Sequence, residues 1–360
     1  MNKIEVLDAI MGSGKTTGII KWMLENPQNK YLYVSPMLSE VEERIPFSCE
    51  ALGFISPSTE DHRTKADHLL RLLKDGDNAS FTHSLFQDLT KDHLKWVNLQ
   101  GYILIIDEEV DFIESYKGSY NKFDIISLEN SGHLKIDNEL GRVVWAWDTM
   151  EGNTAYSKMK RLCDLGMLYC AKRDREMMVL HLPIELITSA RRMILVTYLF
   201  NGSIMSAFMR LKGIEICKFT GVELLKSDHE VKQQAKALVT ISETRSTRKV
   251  KASKSIRLST SWYEKSGTKE DFDLLKGVIY NLSRKTTKDK FLWTCKKDNS
   301  QKRKSSGGIN KRTISHTDLN VDDTFLYCGA KATNDYAHKN LLVHAYNRYG
   351  NVPVKAYLQD

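Results

Sequence analysis

The sequence lacks the features that mark secreted, membrane-spanning and zinc-binding proteins. Its six cysteines are scattered without Cys-x-x-Cys pairs, and its ten histidines form no convincing metal cluster, so reduced thiols are expected. No apolar run approaches the roughly 18–20 residues of a membrane span. The chain begins directly with a strand-like segment, so we expect no signal peptide. Together these absences predict a cytoplasmic protein without a membrane partner.

Length and composition are those of an ordinary globular protein. The chain has 360 residues, of which 41% are hydrophobic and 27% charged. This length suggests two domains, each large enough for its own core. Strand-like and helical segments alternate along residues 1–210, and the pattern restarts from about residue 211. We therefore predict an α/β fold with mostly parallel, doubly wound sheets, divided into domains 1–210 and 211–360.

The strongest motif lies near the start of the chain, where Ala9 to Thr16 read AIMGSGKT. This is a phosphate-binding loop of the form [A/G]xxxxGK[ST], preceded by a strand-like run and followed by a helical one. Lys15 is expected to reach the β- and γ-phosphates, and the Thr16 hydroxyl to ligate Mg²⁺. The helix N-terminus adds its partial positive charge. The predicted nucleotide-binding residues are Met11, Gly12, Ser13, Gly14, Lys15, Thr16 and Thr17.

A second motif follows about ninety residues later. The continuous apolar run Tyr102–Ile106 is typical of a parallel strand buried on both faces, and it ends in Asp107 and Glu108. Carboxylates at the C-terminal end of such a strand face the crevice where nucleotides bind. We expect Asp107 to hold Mg²⁺ through water and Glu108 to polarise the attacking water. The two motifs together predict nucleoside triphosphate hydrolysis.

Positive charge is concentrated in one part of the chain. Residues 231–316 contain 22 Lys and Arg against 7 Asp and Glu, whereas the whole chain has a net charge of only +8. Arg284 and Lys285 belong to this stretch, and four aromatic residues are interleaved with it: Trp262, Tyr263, Phe291 and Trp293. A basic surface with stacking groups favours a nucleic-acid partner.

Local sequence patterns predict the strands and helices of the second domain. Strands are predicted at 237–241, 255–258, 290–295 and 323–328, and helices at 272–284 and 337–346. The stretch 301–312, rich in Lys, Ser and Gly, is predicted to be an exposed loop. This domain has no phosphate loop of its own, so a second independent ATPase site is not expected.

With these motifs in place, the chain resembles superfamily 2 helicases and translocases, and more closely a helicase-like ATPase group of bacteriophages. The phosphate loop is similar to motif I and residues 107–110 to motif II. Segments 33–40, 195–200, 329–336 and 344–349 resemble motifs Ia, III, V and VI. The resemblance implies two tandem RecA-like domains of which only the first carries a phosphate loop, with ATP and Mg²⁺ as cofactors. It also implies an enzyme located in the host cytoplasm.

The resemblance further implies roles for individual residues. Arg348 is the candidate arginine finger for the γ-phosphate, and Thr197 would couple the nucleotide site to the strand-binding face. Contacts to nucleic acid are expected at motif residues and in the basic stretch: Ser35, Pro36, Thr82, His83, Arg284, Lys285, Thr333 and Asn334. The implied partner is single- or double-stranded DNA rather than RNA, together with phage replication proteins.

Two other functions fit the same motifs. A phage DNA-packaging motor also pairs these motifs with a basic surface, but residues 211–360 lack the clustered carboxylates of an accompanying nuclease. A protein-binding module switched by nucleotide would hydrolyse slowly and would not be accelerated by nucleic acid. The preferred prediction is a nucleic-acid-dependent ATPase acting in phage DNA replication or recombination.

Overall fold

The protein is described from a computed structural model. It describes residues 3–296 apart from 117, 119, 138, 148–155, 173, 175 and 176, and also residues 304, 305, 308, 309, 314, 321–328 and 336–359. The chain forms two compact units. The first comprises Met1–Leu238 and Gly350–Asp360, and the second comprises Val239–Tyr349.

The strands are β1 (Lys3–Asp8), β2 (Tyr31–Ser35), β3 (Ala79–Thr82), β4 (Ile103–Asp107), β5 (Ile113–Ser115), β6 (Leu134–Ile136), β7 (Val143–Trp145), β8 (Leu168–Cys170), β9 (Met178–His181), β10 (Arg192–Thr197), β11 (Glu215–Lys218), β12 (Phe291–Thr294), β13 (Lys304–Ser305), β14 (Gly308–Ile309) and β15 (Leu341–His344).

The α-helices are α1 (Lys15–Glu25), α2 (Ile45–Ser48), α3 (Lys65–Asp75), α4 (His83–Gln87), α5 (Lys91–Gln100), α6 (Lys122–Asn130), α7 (Ser157–Asp164), α8 (Glu185–Thr188), α9 (Ile204–Leu211), α10 (Asp228–Leu238), α11 (Arg245–Ala252), α12 (Lys269–Ser283), α13 (Val321–Thr324) and α14 (Val352–Gln359).

The first unit is built on a six-stranded sheet with the order β11-β1-β10-β4-β2-β3, in which every pairing is parallel. Alternate residues of β4 enter different cores, because successive side chains of a strand point to opposite faces. Leu104 and Ile106 pack in one core with α3, α5 and α9, whereas Ile103 and Ile105 pack in the other with α1. The predicted α/β fold with a mostly parallel sheet is therefore confirmed for this unit.

A small antiparallel region is inserted between β4 and β10. It contains the three-stranded sheet β5-β9-β8 and the hairpin β6-β7, which share a separate hydrophobic cluster with α6 and α7. The short apolar run at residues 177–182 contains β9, which pairs in antiparallel fashion with β5 and β8. A short apolar run does not reveal the direction of its partner strand, which only the tertiary structure sets.

The predicted domain boundary at residue 210 falls inside the first unit. Strand β11 pairs with β1 at the edge of the large sheet, and the unit continues through α10 to Leu238. The C-terminal helix α14 also belongs here, because Val354 and Tyr357 are buried in the same core as α9. The division 1–210 and 211–360 is therefore replaced by a first unit that contains both ends of the chain.

The second unit has its own core around α12, β12 and β15, with β12 and β15 paired in parallel. The predicted helix 272–284 and strand 290–295 are confirmed by α12 and β12. The predicted helix 337–346 is wrong, since residues 341–344 form β15. The apolar run at residues 341–343 has only three residues, which is too short for periodicity to separate a helix from a strand, and pairing with β12 makes it a strand.

Other predicted segments in this part of the chain also differ from the structure. Residues 237–241 include the end of α10 and irregular chain, and 255–258 are irregular. Of 323–328, Thr324 ends α13 and Phe325 makes an isolated parallel bridge to Trp293. Within the predicted loop 301–312, β13 and β14 pair in antiparallel fashion, and the other residues of the loop lie outside the described ones. Among the described residues, no helix is long and apolar enough to cross a membrane.

Candidate nucleotide-binding site

The carboxyl ends of three adjacent strands bring the two sequence motifs together. Asp8 at the end of β1 is in register with Thr197 at the end of β10, and Val196 is in register with Asp107 at the end of β4. A single strand thus separates the phosphate-loop strand from the acidic strand. Ligands of open parallel sheets bind outside the carboxyl ends of the strands, so this edge is the candidate site.

The phosphate loop closes around its own lysine. Gly12 and Gly14 have φ values of +81° and +90°, which side chains with a Cβ rarely adopt, so both positions favour glycine. Helix α1 begins at Lys15, and the Lys15 ammonium donates to the Ala9 carbonyl oxygen at 2.7 Å and to that of Ile10 at 3.4 Å. A cation held inside a loop at a helix N-terminus is suited to receive phosphate oxygens.

Thr16 and Asp107 meet although 91 residues separate them. The Thr16 hydroxyl donates to Oδ2 of Asp107 at 3.4 Å, and the Tyr33 hydroxyl donates to the same oxygen at 2.8 Å. A threonine hydroxyl beside a carboxylate supplies the hard oxygen ligands that Mg²⁺ prefers, the remaining positions being filled by water and phosphate. The pair of residues predicted for the metal is therefore adjacent, and its chemistry fits Mg²⁺.

Burial perturbs both members of the Tyr33–Asp107 pair. Desolvation by burial, together with the nearby Glu108 and Glu40 carboxylates, raises the pKa of Asp107 to about 6, although the Tyr33 hydrogen bond and Lys15 act in the opposite direction. Burial and the adjacent carboxylate also raise the pKa of Tyr33 well above its usual value, so its hydroxyl remains a donor. A bound cation would stabilise the ionised form of this buried carboxylate.

The residue after Asp107 has an unusual backbone conformation. Glu108 is half-buried with a φ of 63°, a left-handed conformation that costs a non-glycine residue about 1–2 kcal/mol. Its N–H donates to the Val196 carbonyl oxygen at 2.8 Å. The His83 Nε2 atom lies 2.9 Å from the Asp107 carbonyl oxygen, so His83 borders the acidic strand, and its contact with nucleic acid stays a prediction.

The segment after β10 is tied to the phosphate-loop strand. Ala9 N–H donates to the Thr197 carbonyl oxygen at 3.1 Å, and the Asp8 carboxylate accepts the N–H groups of Leu199 at 2.8 Å and Phe200 at 3.0 Å. Thr197 is buried at this junction. Its predicted coupling role stays a prediction, whereas Asp8 is a contact that the sequence patterns did not single out.

Two predicted nucleic-acid contacts at other strand ends have structural partners. Ser35 is buried, and its Oγ accepts the Met37 N–H at 3.4 Å, so this side chain is not presented at the surface. Thr82 is half-buried and caps α4 by accepting the Leu85 N–H at 3.4 Å. Pro36 is half-buried. The contact of Ser35 with nucleic acid stays a prediction, and in this structure its hydroxyl supports the turn that follows β2.

The aromatic residues interleaved with the basic stretch are also placed differently. Trp262, Tyr263, Phe291 and Trp293 are all buried in the core of the second unit, so they do not form a stacking surface. Sequence proximity to lysines gave no information about their burial. Most of the basic residues that the structure describes in this stretch are exposed, including Arg284 and Lys285 just after α12 and the Arg and Lys residues of α11.

The remaining predicted residues lie in the second unit. Arg348 follows β15 and is exposed, and its role as an arginine finger stays a prediction. Thr333 and Asn334 lie outside the described residues. Among the residues that the structure does describe, no three or more His, Cys, Asp and Glu side chains form a group that could hold a metal ion. A metal ion at the Thr16–Asp107 pair would therefore need phosphate and water oxygens as its other ligands.

Two comparisons place the chain among known proteins. Residues 233–360 match the family described as the YonV C-terminal Rossmann-like domain. Over an alignment of 382 positions, the chain is 29% identical to the SPbeta prophage-derived uncharacterized protein YonV of Bacillus subtilis (strain 168), covering 100% of this chain and 88% of that protein. The C-terminal third of the chain thus matches the YonV C-terminal Rossmann-like domain family, and the whole chain is similar to a prophage protein.

Proposed function

We propose that the protein is a Mg²⁺-dependent nucleoside triphosphatase whose turnover is coupled to DNA. The observation that carries the proposal is the meeting of Thr16 and Asp107 beside a lysine-closed phosphate loop. A glycine-rich turn before a lysine occurs in many proteins. Its position beside a buried carboxylate at the end of β4, separated from β1 by the single strand β10, is a far more specific sign of a nucleotide site.

Each residue of the site has a definite task in this proposal. The Lys15 ammonium leaves the carbonyl oxygens of its own loop to neutralise the β- and γ-phosphates. Thr16 would hold Mg²⁺ directly and Asp107 would hold it through water, and the cation would supply charge neutralisation at the phosphates. Glu108 orients the attacking water, for which its half-buried position at the same edge is suitable.

Two features support coupling to DNA. The first unit has a parallel sheet with both motifs at its carboxyl edge, as expected of a RecA-like domain in the superfamily 2 helicases and translocases that the sequence resembles. The second unit contributes α11, whose exposed Arg245, Arg248, Lys249 and Lys251 present a run of positive charge to phosphates. Because no aromatic platform accompanies it, binding there would depend on the backbone and be insensitive to sequence.

The prophage relative supports a place in the bacteriophage cycle. We therefore propose that the protein acts on phage DNA during replication or recombination, in the cytoplasm of the host cell. DNA packaging by a motor remains the alternative, and it would require further phage proteins for turnover.

A comparison of two asparagine substitutions tests the proposed site. Asp107→Asn should abolish Mg²⁺-dependent ATP hydrolysis. Asp111→Asn, at an exposed aspartate four positions along the chain, should leave it within about twofold of the wild type. Equal activity in the two variants would contradict the assignment of Asp107.

A further inference from the structure

A segment that no motif singled out lies directly against the phosphate loop. After β11, the chain crosses the loop between residues 222 and 228, and the Leu225 and Lys226 N–H groups donate to the Ser13 carbonyl oxygen at 3.0 and 3.4 Å. The Ile10 N–H donates to Oδ1 of Asp228 at 3.0 Å. Three hydrogen bonds therefore fix this segment, here called the 222–228 strap, to the loop.

The strap is also packed against the glycines of the loop and of α1. A Cβ on Gly14 would come within 2.8 Å of the Leu225 side chain, and a Cβ on Gly18 would come within 3.3 Å of Val222. The absence of side chains at these two glycines lets the strap approach this closely. The strap thus lies over the loop and the first turn of α1.

Inward and outward residues alternate along the strap. Val222 and Leu224 pack against the core that contains α1, whereas Glu223 and Leu225 face outward. Leu225 is 73% exposed, although a polar residue at this outward position beside the loop would not reduce the stability of the fold. It offers an apolar surface next to Gly14, with the Glu223 carboxylate two positions away.

The direction of a bound triphosphate follows from the order of the strands. Lys15 and the Thr16–Asp107 pair mark the γ-phosphate end, and Asp107 lies on β4, two strands from β1 on one side. Strand β11 and the strap that follows it lie on the other side of β1. The nucleoside and the γ-phosphate are at opposite ends of a nucleoside triphosphate. With the γ-phosphate on the β4 side of the loop, the nucleoside lies on the β11 side, next to the strap.

We infer that the 222–228 strap forms the nucleoside subsite of the phosphate loop, with Leu225 as an apolar wall for the base or ribose and Glu223 as a hydrogen-bond acceptor for its hydroxyl or amino groups. This inference rests on the proposed function. It supplies a base-contacting element downstream of the phosphate loop.

Binding of ATP and of inorganic tripolyphosphate, each with Mg²⁺, separates a nucleoside contact from a phosphate contact. Leu225→Ala should weaken ATP binding about tenfold, the loss expected for an apolar contact of this size, and should leave tripolyphosphate binding unchanged. Leu225→Met, which keeps the volume, should retain most of the ATP affinity. Leu238→Ala, at an exposed leucine at the end of α10, is the matched control.

Titration calorimetry on the full chain distinguishes the outcomes. Equal losses for ATP and tripolyphosphate would mean that Leu225 only supports the loop, and no loss for either would mean that it contacts no ligand, so both overturn the inference. If the wild type binds ATP no more tightly than tripolyphosphate, the nucleoside subsite is overturned but the phosphate site is not. Failure of the wild type to bind either ligand overturns the proposed function as well.

Discussion

The Tyr33 hydroxyl donates a hydrogen bond to Oδ2 of Asp107 at 2.8 Å, and Thr16 donates to the same oxygen atom. Tyr33 lies on β2 and Asp107 on β4, which are neighbouring strands, and both side chains are buried. A tyrosine in this position fixes the orientation of the carboxylate before any cation arrives. Tyr33 therefore acts through Asp107 and is a positioning residue for the proposed Mg²⁺ site.

Removal of the Tyr33 hydroxyl should weaken the binding of Mg²⁺ and spare the fold. In Tyr33→Phe, we expect the Mg²⁺ concentration for half-maximal ATP hydrolysis to rise about tenfold, as for other residues that orient a metal ligand. Tyr31→Phe is the control, because Tyr31 is on the same strand but donates to the Asn26 carbonyl oxygen. Mg²⁺ titrations that coincide for the two variants would contradict the role of Tyr33.

Asp107 should reduce the stability of the metal-free protein at neutral pH. Burial raises the pKa of Asp107 to about 6, so its contribution to stability is present when the carboxyl is protonated and is lost as the pH rises from about 4 through 6. Asp107→Asn should therefore increase the free energy of unfolding near pH 8, by on the order of 2 kcal/mol.

This increase is measured by urea denaturation in the presence of a chelator, with Asp111→Asn as the exposed control. The variant keeps an acceptor for the Tyr33 hydroxyl, so packing is preserved while the buried charge is removed. If Asp107→Asn has a lower free energy of unfolding than the wild type, the ionised Asp107 carboxylate does not destabilise the fold, and this prediction is wrong.

A buried histidine should make the first unit sensitive to acid. His181 stacks on Tyr169 with ring centroids 3.7 Å apart and lies against Phe208 and Tyr357. Within the described structure neither of its ring nitrogens has a hydrogen-bond partner. Burial, with the nearby Lys212, lowers the pKa of His181 to about 3.

Because the unfolded chain takes up a proton near pH 6.5 that the folded chain resists, stability is lost as the pH falls. We expect the wild type to lose about 2 kcal/mol between roughly pH 7 and pH 5 from this group, and His181→Phe to avoid that loss. Denaturation curves at the two pH values give the difference. Parallel losses in both proteins would assign the acid sensitivity to other residues.

The basic helix α11 should account for part of the affinity for DNA. Arg248 and Lys249 are exposed there, and their joint replacement by alanine should weaken binding to any DNA sequence and reduce the slope of log K against log salt by about 2. Arg71 and Lys74 on α3 provide a matched pair of exposed cations in the first unit. An unchanged salt slope in the α11 variant would place the DNA contacts elsewhere.

The two halves of the candidate site were accessible from sequence because each of them is a motif of neighbouring residues. The phosphate loop follows from the spacing of Gly12, Gly14 and Lys15, and Asp107 follows from an apolar run that ends in a carboxylate. The relation of Tyr33 to Asp107 was not accessible, because a tyrosine in a buried strand has the same pattern whether or not its hydroxyl has a partner. The 222–228 strap was missed for a similar reason, since only the tertiary structure brings it to the loop.

The second unit shows where pattern analysis failed. Trp262 and Trp293 were interpreted as surface stacking groups because lysines surround them, yet both are fully buried. Residues 341–344 were interpreted as part of a helix, and their pairing with β12 makes them a strand. Burial and strand pairing depend on residues distant in the sequence, which local composition does not encode.

Steady-state ATP hydrolysis, with and without single- and double-stranded DNA, tests the central claim most directly. We predict Mg²⁺-dependent turnover that DNA accelerates, and its loss in both Lys15→Ala and Glu108→Gln, with DNA binding retained in Lys15→Ala. Turnover in Lys15→Ala equal to that of the wild type would contradict the assigned site, and turnover indifferent to both forms of DNA would contradict the coupling.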